Sequence, residues 1–134
     1  MSEYLEKAKE LRNSTERHYN CAQGALVPFA QGAGLDDKTA AGLTANFGSG
    51  MRMASVCGAI TGGLMVLGLY GADDQESTSE YLRKLRENHH GFVNCSDLLR
   101  INREEGGNKK DHCDGMVYEA VELAYDILKK KNLI

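Results

Sequence analysis

The sequence predicts an all-α fold: a single domain over residues 1–134, with five to seven helices packed around one apolar, glycine-rich helix. Three observations carry that prediction. Apolar residues recur at helical spacing along most of the chain, no stretch alternates apolar and polar residues as a half-buried strand would, and the stretch from Met53 to Ala72 carries no charge. An uncharged helix has to be buried on nearly every side, so the other elements are expected to wrap it.

The first segment, Glu3 to His18, puts Tyr4, Leu5, Ala8, Leu11, Thr15 and Tyr19 on one stripe and its charges elsewhere, and so reads as an amphipathic surface helix. Asn20 is a favoured N-cap and Gln23 stands where a capping-box partner belongs, so a second helix starts there, interrupted by Pro28 and closed by Gly32 and Gly34. A short helix from Asp36 or Asp37 to Asn46 offers Ala40, Ala41, Leu43 and Ala45 for packing, then runs through Phe47 into the Gly48-Ser49-Gly50 loop. The apolar helix is expected from near Ser55 to Gly71. Caps between Asp73 and Ser79 precede a charged helix bearing Tyr81, Leu82, Leu85 and His89, which Gly91 stops. Asn94-Cys95-Ser96-Asp97 opens a further short helix, Ser96 to Asn102. Asp111-His112-Cys113-Asp114 opens the last one, whose basic end Lys129-Lys130-Lys131 suits a helix C-terminus.

Charge and length narrow the function. The formal charge of −3 arises from 16 basic and 19 acidic residues mixed along the chain, which is no footprint for nucleic acid. The uncharged window of 20 residues has the length of a membrane span but holds Gly58, Gly62, Gly63, Gly68 and Gly71, so a buried helix is expected and membrane insertion is not. Met1-Ser2-Glu3-Tyr4-Leu5-Glu6-Lys7 reads as a helix start and not as a secretion leader, which makes a reducing cytoplasm the expected location. Cysteines in that compartment are metal-binding or redox-active more often than they form structural disulfides.

All four cysteines, Cys21, Cys57, Cys95 and Cys113, fall at expected helix beginnings. The first turn carries unpaired N–H groups and the positive end of the helix dipole, so a thiolate is stabilised there. Intervals of 36, 38 and 18 residues leave no C-x-x-C, which excludes a thioredoxin-type pair, a zinc ribbon and the usual ferredoxin run. A shared site has to be assembled by the fold from different helices. A Cys₄ iron–sulfur cluster and two disulfide-forming pairs both satisfy that condition.

Cys57-Gly58-Ala59-Ile60-Thr61-Gly62, flanked by the single cysteines Cys21, Cys95 and Cys113, resembles the C_GCAxxG_C_C family of redox-active proteins, and the similarity runs from Cys21 to the last helix. The module is also similar to part of the split-Soret cytochromes, where an iron–sulfur cluster accompanies it. The resemblance implies redox activity without fixing a reaction.

Around the cysteines, Gly58 and Gly62 form small-residue ridges that let another backbone approach. Gly48 and Gly50 can adopt positive φ and aim N–H groups at a sulfur, so these four glycines are the candidate cofactor-binding positions. His18 and His112 neighbour cysteines, and Arg17 and Arg52 lie within reach of thiolates. The expected function is electron transfer or redox sensing through an iron–sulfur centre held by Cys21, Cys57, Cys95 and Cys113. The alternatives are thiol–disulfide chemistry with Cys57 as the reactive thiol, and a non-catalytic helical module stabilised by zinc or binding a small molecule. The expected partner is a redox protein of unknown identity, and the small-residue ridges make a homodimer plausible.

Overall fold

A computed structural model describes residues 2–134. Among them are seven α-helices and no sheet, in the order α1 (Glu3–Arg12), α2 (Cys21–Ala30), α3 (Asp37–Thr44), α4 (Gly58–Leu69), α5 (Gln75–Asn88), α6 (Cys95–Glu104) and α7 (Lys109–Lys130). Five of the seven start behind an Asn, Ser or Asp whose side chain accepts an N–H of the first turn: Ser2, Asn20, Asp36, Asp74 and Asn108. None is long and apolar enough to cross a membrane.

The apolar helix α4 packs chiefly against α2 and α7, and α1 closes over that pair. Two glycines set how closely α4 and α2 approach. A Cβ on Gly62 would lie 2.8 Å from the Ala22 carbonyl oxygen, and one on Gly58 would lie 3.3 Å from the Ala22 nitrogen, besides meeting the Phe47 carbonyl oxygen beyond α3 at 2.6 Å. On the other side of α4, the fully buried Tyr81 of α5 lies over Gly63 and donates its hydroxyl to the Ile60 carbonyl at 3.0 Å. Tyr4 stacks on Phe29, and Tyr70 meets the Phe29 ring edge-on, at the C-terminal ends of α2 and α4.

Several boundaries differ from the sequence reading, each for a local reason. The first helix ends at Arg12, six residues before His18, because Asn13 closes it onto the Lys9 and Leu11 carbonyls. Pro28 does not interrupt α2, which runs through it to Ala30; only the last two residues follow the proline, so little of the helix depends on the lost N–H. The apolar helix begins at Gly58, not near Ser55. The preceding residues form a left-handed turn in which Ser49, Gly50, Met51, Arg52 and Ala54 all have φ between 52° and 61°. Four of those five are not glycine, and each such residue costs about 1–2 kcal/mol.

Candidate functional site

Local geometry brings the four cysteines together from different directions. Cys21 is the first residue of α2, fixed by a complete capping box in which Asn20 accepts from the Gln23 N–H and Gln23 accepts from the Asn20 N–H, both at 2.8 Å. The Asn20 amide also donates to the Thr44 and Ala45 carbonyls, at 3.3 and 3.0 Å, which ties the start of α2 to the end of α3. Gly48 is packed on Asn20 so closely that a Cβ would sit 2.7 Å from it.

Cys57 and Cys95 are aligned by a short antiparallel bridge. The Cys57 N–H donates to the Val93 carbonyl at 2.9 Å and the Cys95 N–H donates to the Ser55 carbonyl at 2.7 Å. The left-handed turn makes that bridge available, since it folds Ser55 back onto Gly50 through a 2.9 Å bond. Cys57 caps α4 and Cys95 is the first residue of α6. Cys113 is the fifth residue of α7, one turn further in than the sequence reading placed it, because that helix already starts at Lys109 behind Asn108.

All four side chains line a single cavity of about 130 Å³. Its wall also includes Arg12, His18, Lys109 and His112, together with Gly50 and Gly58, and contains no aspartate or glutamate. All four thiols are free, and Cys57 is the most deeply buried. Among the described residues, no three His, Cys, Asp or Glu side chains are placed to hold a single metal ion. The donor set is four soft thiols around a space, each from a different element, and that chemistry suits an iron–sulfur cluster, in which the protein ligands are separate thiolates.

A family model described as "Putative redox-active protein (C_GCAxxG_C_C)" matches residues 19–127. The chain belongs to the C_GCAxxG_C_C family. Comparison with curated proteins and with solved structures gives no significant match. In this member of the C_GCAxxG_C_C family, the matched region runs from just before Cys21 into the last helix and holds all four cavity cysteines.

The thiols are not equivalent. Burial pushes Cys57 up to about 11, against the opposing pull of the Ile60 and Ala59 N–H groups at the start of α4. The helix-start argument that favoured Cys57 as the reactive thiol is thus outweighed by desolvation. Cys95 is raised by burial and by the neighbouring Cys113. Cys21 and Cys113 face the same cavity as interacting neighbours, and the pair titrates as a unit. The proton leaving Cys113 does so at about 7, favoured first by the Cys21 thiol and then, against burial, by Arg12 and Lys109. The Cys21 proton is held far higher, first by Cys113 and then by burial.

The remaining candidates separate cleanly. Gly50 and Gly58 line the cavity, whereas Gly48 and Gly62 lie outside its lining and serve packing against Asn20 and α2. His18 and His112 line it, while His89 and His90 do not; His89 pairs with Glu119 at 2.7 Å. Arg17, exposed over the Tyr19 ring, and Arg52, exposed and bonded to the Ala45 carbonyl, also lie outside the lining. The arginine at the cavity is Arg12, which the stripe on α1 disguises as an ordinary surface charge. Its signal in the sequence is weak: Asp114, its partner, is 102 residues away.

Proposed function

We propose that the protein transfers electrons, or senses redox state, through an iron–sulfur centre held by Cys21, Cys57, Cys95 and Cys113. The observation that carries this reading is the single cavity lined by all four thiols and by no carboxylate. A cluster of this kind supplies one-electron chemistry when bound. The chain's own part is to hold the four sulfurs around one volume, to set the N–H groups that open α4 beside Cys57, and to set Arg12 and Lys109 against the negative charge. Either redox chemistry suits a reducing cytoplasm, where thiols are kept free.

Anaerobic purification or reconstitution with iron and sulfide tests the proposal. The expected result is visible absorption with iron and sulfide in fixed ratio, lost when any one cysteine is changed to serine. Colourless protein free of iron and sulfide after reconstitution would overturn it, and one tightly held zinc would point to the structural-metal alternative.

A second reading is favoured by the interacting Cys21–Cys113 pair in the shared cavity: thiol–disulfide exchange with Cys113, not Cys57, as the attacking thiolate. Cys113 attacks a disulfide of a partner, displacing one partner thiolate. Cys21 then attacks the mixed disulfide, so the partner leaves as a dithiol and this chain keeps a Cys21–Cys113 disulfide. Loss of two titratable thiols on oxidation of metal-free protein, abolished in Cys21→Ser, would distinguish this chemistry.

A further inference from the structure

Arg12 and Asp114 form an ion pair that is hard to justify by stability. Their side chains are 7% and 12% exposed, and the Arg12 Nε donates to Asp114 Oδ1 at 2.8 Å. Pairs taken out of water in this way seldom contribute more than well-packed apolar residues would, because desolvation offsets their attraction. The protein nevertheless makes room for this one. Gly24 of α2 stands where the aliphatic shaft of Arg12 crosses, and a Cβ there would lie 3.1 Å from Arg12 Cδ.

The place of the pair gives the reason. Asp114 follows Cys113 directly on α7. The second bond of the guanidinium, Nη1 to the Tyr19 carbonyl at 2.8 Å, grips the chain two residues before Cys21. One side chain from α1 thus holds the carboxylate of the residue after Cys113 and the backbone two residues before Cys21, and it also lines the cavity. Lys110 holds the other oxygen of Asp114 at 2.7 Å. Two cations and one carboxylate leave this corner with a net charge of one positive unit.

We infer that Arg12 is the positioning residue that sets the redox potential of the cysteine site, with Asp114 as its counterweight. This rests on the redox reading above. Reduction adds negative charge to the site, whether as an electron on a cluster or as thiolate from a disulfide. A fixed cation beside it favours the reduced form, and a carboxylate opposes it. Removing Arg12 should therefore lower the potential and removing the Asp114 charge should raise it. A residue that served packing alone would not give opposite signs.

The experiment is a redox titration of the protein as isolated and of Arg12→Gln, Arg12→Lys and Asp114→Asn. A second measurement on reduced, metal-free protein takes the ratio of Cys113 alkylation by iodoacetate to that by iodoacetamide, which reads the local field because only the first reagent is anionic. The expected change is about tenfold in the reduced-to-oxidised ratio, or about 59 mV for a one-electron couple and about 30 mV for a two-electron couple. It should be downward for Arg12→Gln, upward for Asp114→Asn and near zero for Arg12→Lys, with the alkylation ratio falling, rising and holding in step. Shifts of the same sign in Arg12→Gln and Asp114→Asn, or none in either, would overturn the inference. If Arg12→Gln does not fold, an unshifted Asp114→Asn overturns it by itself. If the unaltered protein shows no redox couple, the redox reading fails, and the alkylation ratio still decides whether Arg12 sets the field.

Discussion

Two glycines of one helix should respond to alanine with opposite signs. Gly62 and Gly68 both lie in α4, so each gains about 1 kcal/mol of helix propensity when changed to alanine. Around Gly68 a new Cβ meets nothing within 4 Å, and the gain stands alone. Around Gly62 it would lie 2.8 Å from the Ala22 oxygen, 2.8 Å from the Ala25 Cβ and 3.3 Å from the Ala22 Cα. Carbon atoms settle at about 3.5–4.0 Å, so α2 would have to retreat by most of an ångström, and overpacking of that kind costs about 1–3 kcal/mol. Gly62→Ala should therefore be neutral to destabilising by about 2 kcal/mol, while Gly68→Ala stabilises by up to about 1 kcal/mol. With roughly 4 °C per kcal/mol for a chain of this size, the two variants should melt several degrees apart. Since α2 begins at Cys21, its retreat should also weaken retention of the proposed cluster in Gly62→Ala. Paired calorimetric or circular-dichroism melts decide the matter. An equal rise in Tm for both variants would show that α2 and α4 are not locked at Gly62.

The other predictions concern the site and its supports. In reduced, metal-free protein, the thiolate fraction of Cys113 grows as pH rises through about 7, whereas that of Cys57 needs pH near 11. Iodoacetamide should thus label Cys113 first at neutral pH, and mass mapping that found Cys57 labelled as fast would refute the assignment. Gly50→Ala should cost about 3 kcal/mol or more, because φ is +60° and the added Cβ would meet the Ser55 backbone at 2.3 Å; an unchanged melting temperature would count against the fixed turn. Burial alone would raise the Asp114 carboxyl, but its bonds from Lys110 and Arg12 hold it below the usual range. Its folded pKa lies below the unfolded one, so the stability it adds is present above the unfolded value and fades as pH falls through the folded one. Acid unfolding of Asp114→Asn should accordingly be shallower than that of the unaltered protein.

The all-α class, the capping box at Asn20, the buried α4 and membership of the C_GCAxxG_C_C family were legible in the sequence. Helical periodicity, caps and a long uncharged stretch are local properties, and the C-G-A-x-x-G core is a local motif. The chain by itself also implied that any shared site must come from separate helices, since no two cysteines are close in sequence. Tertiary structure decided the rest. Whether a helix start lowers a thiol depends on how deeply the fold buries it, and so Cys57 is raised while Cys113, a full turn inside α7, is lowered by its neighbours. Arg17 and Arg52 are near cysteines in sequence yet lie outside the cavity lining. Arg12 belongs to that lining because α1 packs on α2 and α7, and no spacing rule links it to Asp114. Gly58 and Gly62 look alike as ridge residues and both face α2, but only the packing shows that Gly58 also lines the cavity and Gly62 does not. Sequence pattern reports what each element wants to bury, whereas charge and reactivity depend on what the other elements bring to the same space.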